Sequence, residues 1–125
     1  MNPLQTYMVE DSEVVRDSLI AALEEMAPMA VVGTAADEAT AVQWLCDPAH
    51  ACDMVIIDLF LRGGSGLGVL RSLQRRRPDL HSVVLSNFTS DDMRLTCLRL
   101  GAREVFDKSG EIDALVDHCH ALAAS

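Results

Sequence analysis

Five residues that could together handle a phosphoryl group each stand at the end of an apolar run. They are three carboxylates, a hydroxyl and an ammonium group: Glu10, Asp11, Asp58, Ser86 and Lys108. Asp58 directly follows the apolar residues Met54–Ile57, and a carboxylate beside a core strand is costly to bury without a partner. Two carboxylates about 4 Å apart repel by roughly 4 kcal/mol at an effective dielectric of 20. A divalent cation with oxygen ligands, helped by an ammonium group, offsets such repulsion, so these residue types favour a site for Mg²⁺ and a phosphoryl group.

The elements that must position these residues alternate between strand and helix five times. Apolar strand patterns occupy residues 7–9, 31–32, 54–57, 83–85 and 105–106. Helically spaced apolar residues follow each of them, and helix caps are predicted at Ser12, at Asp37 and in the capping-box sequence 89–92. Five such units imply a parallel sheet with helices on both faces. Because the carboxyl ends of parallel strands share one edge of the sheet, the five polar residues are predicted to converge there.

Each of these polar residues has a simpler explanation when it is taken alone, since strand ends meet solvent and are commonly polar. Three carboxylates, one hydroxyl and one lysine at a single edge are much harder to explain in that way. The convergence therefore favours a functional site.

Composition limits the classes of function. The 125 residues match one domain, 1–125, and an apolar content of 50% with only 4% aromatic residues predicts an aliphatic core. The net charge of −9 disfavours nucleic-acid binding by this domain, because affinity for phosphate backbones depends on Lys and Arg. No stretch approaches the ~20 apolar residues of a membrane span, and residues 1–7 lack the regions of a signal peptide. We expect a cytoplasmic domain without direct contact to nucleic acid or membrane.

Two further groups of residues, the cysteines and the arginines at 75–77, do not predict a functional site. The four cysteines form no CxxC pair and are expected to be free thiols. Cys46, His50 and Cys52 could suggest a metal site, but a fourth ligand is not evident and an ordinary loop is favoured. The three arginines at 75–77 are more simply a solvated helix end than a nucleic-acid patch.

Four separated segments form a pattern that is specific when they are taken together. They are Glu10-Asp11-Ser12, Asp58-Leu59-Phe60-Leu61 with Gly66, Ser86, and Gly101-Ala102 leading to Phe106-Asp107-Lys108. From about residue 6 to residue 122, the chain resembles the receiver domain of a two-component response regulator. The resemblance implies a flavodoxin-like α/β fold, a doubly wound five-stranded parallel sheet of order 2-1-3-4-5 with five helices.

The resemblance also implies a role for the residues at the sheet edge. Asp58 would accept a phosphoryl group from a histidine kinase or phosphotransfer protein and become an aspartyl phosphate. Asp11, Asp58 and the backbone carbonyl of Phe60 would hold Mg²⁺ directly, while Glu10 would act through water. Mg²⁺ and Lys108 would offset charge on the phosphoryl oxygens. The domain is not expected to be an enzyme beyond catalysing its own phosphorylation and dephosphorylation.

A switch and an output surface follow from the same resemblance. Ser86 would bond to a phosphoryl oxygen and draw the loop after the fourth strand inward. Phe106 resembles the aromatic switch residue whose inward turn reshapes the surface of helix 4, strand 5 and helix 5, and a fixed core aromatic is the alternative. That surface would bind a downstream protein partner, and a homodimer formed on phosphorylation is compatible with it.

Three positions depart from the pattern of the family. Arg62 stands where proline is frequent, so the loop after Asp58 is expected to be looser. Ser109 follows Lys108 where proline is common, and because a cis bond before a non-proline residue costs ~2.5–4 kcal/mol, we expect a trans bond. Asn87 replaces a small residue beside the phosphate, where its bulk could narrow donor access or its amide could donate to the phosphoryl group.

Two phenylalanines are predicted to set the lifetime of the phosphoryl group. In receivers, the residues two after the phosphorylated Asp and two after the strand-four hydroxyl flank the path of the hydrolytic water. Here they are Phe60 and Phe88, which cannot orient a water by hydrogen bonding and are large enough to exclude one. The alternative is that Phe88 packs under the fourth helix and Phe60 lies on the surface.

Other classes of function are less consistent with the sequence. A phosphatase of the haloacid dehalogenase class needs a second Asp two residues after the first, and that position is Phe60. A phosphate-independent scaffold or interaction module remains the alternative, although the intact acidic residues and Lys108 argue against it. The short tail 121–125 lacks linker character, which mildly favours a stand-alone receiver over an excised domain.

Overall fold

The computed structural model describes residues 2–87 and 89–125, and strands alternate with helices throughout it. The strands are β1 Leu4–Val9, β2 Met29–Ala35, β3 Met54–Ile57, β4 His81–Ser86 and β5 Glu104–Asp107. The helices are α1 Glu13–Met26, α2 Glu38–Leu45, α3 Gly66–Arg76, α4 Asp91–Arg99 and α5 Ile112–Ala123. The predicted alternation is confirmed, although every strand except β3 extends beyond its predicted run.

All five strands form one parallel sheet in the order β2-β1-β3-β4-β5, as expected. Val9 lies opposite Ile57, and Ile57 lies opposite Val84. Ser86 lies opposite Asp107 on the last pair of strands. Because these strands end in register, the residues that follow them emerge at the same edge of the sheet.

The sheet separates two hydrophobic cores. Tyr7 and Val9 of β1 pack toward the core that includes residues of α2, α3 and α4, whereas Met8 packs toward the core of α1 and α5. Every residue of β3 is buried, because this central strand has a core on each face. That double burial explains why its sequence is apolar throughout rather than alternating.

Side-chain caps start the helices where the sequence predicts them, with one correction. Ser12 and Asp37 accept hydrogen bonds from the first turns of α1 and α2. The N-cap of α4 is Ser90, so Thr89, the first residue of the predicted capping box at 89–92, does not cap the helix. The Thr89 hydroxyl donates instead to Asp107 Oδ2 at 3.3 Å, which ties the start of α4 to the end of β5.

The helices within the described ranges are all too short or too polar to cross a lipid bilayer.

Candidate functional site

Main-chain hydrogen bonds place the functional residues beside one another at the carboxyl edge of the sheet. Asp58 N donates to Val9 O at 2.9 Å, which sets Asp58 next to Glu10. Lys108 N donates to Ser86 O at 3.0 Å and joins the ends of β5 and β4 in the same way. Since β3 and β4 are neighbours, four strand ends meet at this point.

Each oxygen of the Asp58 carboxylate has its own side-chain donor. The Ser86 hydroxyl donates to Oδ1 at 2.8 Å, and Lys108 Nζ donates to Oδ2 at 2.9 Å. Asp58 is 7% exposed and Ser86 is fully buried, so both bonds are shielded from bulk water. The buried carboxylate therefore has the partners that its burial requires.

Lys108 connects Asp58 to a second buried carboxylate. Its ammonium group also donates to Glu10 Oε1, and Ser12 N donates to Glu10 Oε2 at 3.1 Å. Burial raises the pKa of Glu10 above its ordinary value, although the hydrogen bonds from Lys108 and Ser12 act in the opposite direction. Burial alone lowers the pKa of Lys108, but its bonds to Glu10 and Asp58 outweigh that effect and raise the pKa above its ordinary value. Lys108 thus stays cationic between the two carboxylates.

A third carboxylate completes an acidic cluster that suits a hard cation. Carboxylate oxygens of Glu10, Asp11 and Asp58 all lie within 4.8 Å of one another. Oxygen ligands of this kind are those that Mg²⁺ prefers, so the donor set fits the metal. Asp11 is the most exposed of the three.

The other metal site considered from the sequence does not form. The acidic cluster is the only group of three or more metal-ligating side chains found within residues 2–87 and 89–125. The His50 ring stacks on Trp44 with their centroids 4.4 Å apart, and His50 Nδ1 lies 3.0 Å from Trp44 O. The segment between α2 and β3 is a loop, as favoured.

The acidic cluster opens into a crevice of about 470 Å³. Phe60 and Asn87 are exposed at its rim, and Phe60 leaves 60% of its surface accessible. Phe60 N also lies 3.4 Å from Asp58 Oδ1, so its backbone turns toward the carboxylate while its ring faces outward. Phe88, the other residue predicted to shield the phosphoryl group, lies outside the described residues.

Phe106 of β5 is buried on the α1 and α5 side of the sheet. The edge of its ring meets the His118 ring of α5, with centroids 5.7 Å apart. On the other side of β5, Arg94 of α4 donates to Val105 O at 2.6 Å and pairs with Glu111 Oε1 at 2.5 Å. Polar contacts therefore link α4 to β5 and to the start of α5 within the predicted output surface.

Two of the unusual positions make specific contacts. The Arg62 guanidinium donates to Asp11 O at 3.4 Å, so the loop that lacks proline is tied to the loop after β1. The Lys108–Ser109 peptide bond is trans, as predicted. Ser109 N donates to Asp107 Oδ1 at 2.8 Å, and this turn leads the chain into α5.

One acidic residue near the site is absent from the residues selected by sequence. Glu38, in the first turn of α2, accepts a hydrogen bond from Ser65 N at 3.0 Å, within the loop that follows Asp58. The sequence signal for it is weak, because only the small residues Gly64 and Gly68 indicate that something packs closely there.

Comparison with known proteins identifies the family to which this chain is similar. The family model for the response regulator receiver domain matches residues 7–120. The chain is 34% identical over 99 residues to the DNA-binding transcriptional activator DevR/DosR of Mycobacterium tuberculosis, covering 79% of this chain and 45% of that protein. It is 33% identical over 125 residues to a protein-glutamate methylesterase/protein-glutamine glutaminase of Rhodospirillum rubrum, covering 96% of this chain and 32% of that protein.

Solved structures show the same fold. The response regulator domain of Thermotoga maritima CheB superposes with a TM-score of 0.86 at 19% identity, covering 99% of this chain and 98% of that one. A LuxR-family two-component response regulator from Aurantimonas superposes with a TM-score of 0.87 at 24% identity, covering 98% and 87%.

The chain belongs to the response regulator receiver domain family. It spans about half the length of the curated relatives it matches first, 45% and 56% respectively. The expected relationship to receiver domains and the expected five-stranded flavodoxin-like fold are both confirmed.

Proposed function

We propose that this receiver domain accepts a phosphoryl group on Asp58 from a histidine kinase or phosphotransfer protein and signals through a change at its α4–β5–α5 surface. The observation that carries the proposal is the pair of donors on Asp58. A hydroxyl from β4 and an ammonium group after β5 contact different oxygens of one carboxylate at the floor of an open crevice. A carboxylate that served only to stabilise the fold would not need to face an accessible crevice.

The chemistry follows from these contacts. An Asp58 oxygen attacks phosphorus in line, the new oxygen–phosphorus bond forms, and the phosphorus–nitrogen bond of the donor phosphohistidine breaks. The leaving nitrogen takes the electron pair of the broken bond, and the imidazole leaves in its neutral form because its other ring nitrogen already carries a proton. Lys108, which stays cationic, moves part of its hydrogen bonding to a phosphoryl oxygen. Ser86 donates its hydroxyl to another phosphoryl oxygen in place of Asp58 Oδ1.

The acidic cluster is proposed to hold Mg²⁺ when the domain is active. Asp11, Asp58 and the backbone carbonyl of Phe60 would bind the cation directly, with Glu10 acting through water. When bound, the cation offsets the negative charge that gathers as the phosphoryl group approaches three carboxylates. The chain's net charge of −9 adds to the repulsion that an anionic donor meets.

The first experiment is phosphorylation with a small donor. Acetyl phosphate and Mg²⁺ should add the mass of one phosphoryl group to the intact wild-type protein, and the Asp58→Asn variant should gain none. Asp53→Asn is a matched control, because Asp53 stands at the opposite end of β3 and accepts a hydrogen bond from Gln5 N at 2.8 Å. Failure of every small donor and of histidine kinases to modify the wild type would contradict the proposal and favour a phosphate-independent scaffold.

The second experiment concerns the output surface. If Ser86 moves toward the phosphoryl group, Thr89 should shift with Ser86, and so should the Asp107 carboxylate that Thr89 contacts. Amide chemical shifts should then change in α4, β5 and the start of α5 as well as around Asp58. Shifts confined to the loops around Asp58 would show that the signal leaves by another surface.

A further inference from the structure

Glu38 holds the loop after Asp58 by both its main chain and its side chain. Glu38 N donates to Gly63 O at 2.9 Å, and Ser65 N donates to Glu38 Oε1 at 3.0 Å. Two hydrogen bonds in opposite directions therefore join the start of α2 to the loop between β3 and α3.

The loop is shaped around the Glu38 side chain. A Cβ atom added to Gly64 would lie 2.5 Å from Glu38 Oε1, and one added to Gly68 would lie 2.1 Å from the same oxygen. Gly64 also has a φ of +77°, a conformation that other residues rarely adopt. Glycine at these two positions leaves the space that the carboxylate occupies.

The carboxylate of Glu38 is not needed to cap its own helix. The cap of α2 is Asp37, whose Oδ1 accepts a hydrogen bond from Thr40 N at 2.8 Å. The Glu38 carboxylate instead lies against the first turn of α3, where the positive end of the helix dipole favours an anion. Its contacts serve the loop and α3 rather than α2.

The held part of the loop is directly linked to the phosphoryl-acceptor site. Ser65 forms an antiparallel bridge with Phe60, and Gly66 N donates to Leu59 O at 2.9 Å. Phe60 N in turn lies 3.4 Å from Asp58 Oδ1. A continuous chain of contacts thus runs from the Glu38 carboxylate through the backbones of Ser65 and Phe60 to the Asp58 carboxylate.

We infer that Glu38 is a positioning residue for the metal and phosphoryl site. By fixing Ser65, it fixes Phe60. This inference rests on the proposed function, in which the Phe60 backbone carbonyl is one of the metal ligands. Removing a residue that orients a metal ligand from behind typically lowers metal affinity about 10- to 100-fold. The role belongs to the hydrogen-bond acceptor Oε1, so glutamine should largely retain it.

The test compares Glu38→Ala with Glu38→Gln by Mg²⁺ titration calorimetry and by the rate of phosphorylation from acetyl phosphate. Glu38→Ala should weaken Mg²⁺ binding and slow phosphorylation about tenfold, whereas Glu38→Gln should stay within about threefold of wild type. Amide hydrogen exchange at Ser65 should accelerate in the alanine variant without Mg²⁺. Asp113→Ala, which removes a first-turn carboxylate from α5, is the matched control and should leave all three unchanged.

A second variant separates positioning from stability. Gly68→Ala places a methyl group where the Glu38 carboxylate lies, so the side chain must move, yet alanine is the better helix former in α3. Gly68→Ala should therefore weaken Mg²⁺ binding without lowering the melting temperature. The inference is overturned if Glu38→Ala and Gly68→Ala bind Mg²⁺ as wild type does, whatever their melting temperatures. A wild type that takes up no phosphoryl group would instead contradict the proposed function.

Discussion

Lys108 Nζ lies 2.9 Å from Asp58 Oδ2 and donates to Glu10 as well, so one ammonium group pairs with two buried carboxylates. All three side chains are at most 13% exposed. The acidic cluster is therefore partly compensated by the protein itself, and Asp11 is the carboxylate that Lys108 does not contact in the described structure. This division decides how the site should respond to substitution.

Removing the Lys108 ammonium group should destabilise the domain when Mg²⁺ is absent. In Lys108→Met, Glu10 and Asp58 would face each other without their shared partner, and loss of one member of a buried ion pair typically costs about 3 kcal/mol. Urea unfolding in EDTA should show a loss of roughly that size. Addition of Mg²⁺ should recover part of it, because the metal restores positive charge to the cluster. Equal stability of variant and wild type in EDTA would contradict the arrangement.

Removing Asp11 should have the opposite effect. Repulsion alone predicts that the loss of any carboxylate stabilises the metal-free domain, but Glu10 and Asp58 are paired with Lys108. Asp11→Asn is thus expected to gain about 1 kcal/mol of stability, whereas Asp58→Asn should not gain stability because it also loses the pairing with Lys108. Asp11→Asn should also show a smaller rise in melting temperature with Mg²⁺, since it lacks a proposed ligand.

The control for Asp11→Asn is Asp17→Asn, because Asp17 is exposed on α1 and contacts Arg16 rather than the cluster. It should respond to Mg²⁺ as wild type does. Identical thermal shifts in Asp11→Asn and wild type would remove Asp11 from the proposed ligands.

The sequence predicted the fold and the residues that meet at the carboxyl edge of the sheet, because both depend on strand topology. Once β1, β3, β4 and β5 are parallel, Glu10, Asp58, Ser86 and Lys108 must emerge at one edge of the sheet. Which donor contacts which oxygen was not predictable, since that depends on side-chain rotamers set by packing. The split between the paired carboxylates and Asp11 is of this kind.

Glu38 shows where sequence reasoning ends. It lies 27 positions from Ser65, and no motif connects the two residues. Their contact exists because α2 and α3 are adjacent on the same face of the sheet and because Gly64 and Gly68 leave room between them. Arg62 is a similar case, since its reach to Asp11 O depends on the path of a loop that was expected to be looser.

The stability of the domain should fall in mild acid because of a partly buried histidine. His81 Nε2 of β4 lies 2.8 Å from His118 Nε2 of α5. Burial lowers the pKa of His81 below its ordinary value of 6.5, and the charges of His118 and Arg103 lower it further. The unfolded chain therefore binds a proton at this residue more readily than the folded chain. The contribution of His81 is fully present above about pH 6.5 and is lost as the pH falls through the lower folded-state pKa.

His81→Phe tests this dependence, because it keeps an aromatic ring beside His118 and removes the titrating group. The free energy of unfolding, measured in urea from about pH 7.5 to about pH 5.5, should fall less steeply in the variant than in wild type. The difference between the two slopes isolates His81 from the carboxylates that titrate in the same acid range. Parallel curves would show that His81 does not couple folding to pH.

The last prediction concerns Phe60 and the lifetime of the phosphoryl group. An aspartyl phosphate is lost when water attacks in line, opposite the Asp58 oxygen, and Phe60 lines the crevice that opens onto Asp58. Its ring is 60% exposed and cannot orient a water by hydrogen bonding. Phe60→Asn introduces an amide that can do so, and should speed dephosphorylation about tenfold, equivalent to about 1.4 kcal/mol of barrier.

The loss of phosphate should be followed after the donor is removed, in wild type, Phe60→Asn and Met26→Asn. Met26 is an exposed apolar residue at the end of α1, so its replacement controls for the general effect of a new surface amide. Only Phe60→Asn should lose its phosphate faster, because Phe60 lines the crevice around Asp58 and Met26 does not. If Phe60→Asn keeps its phosphate as long as wild type, Phe60 does not shield the site, although Asp58 would stand as the proposed acceptor.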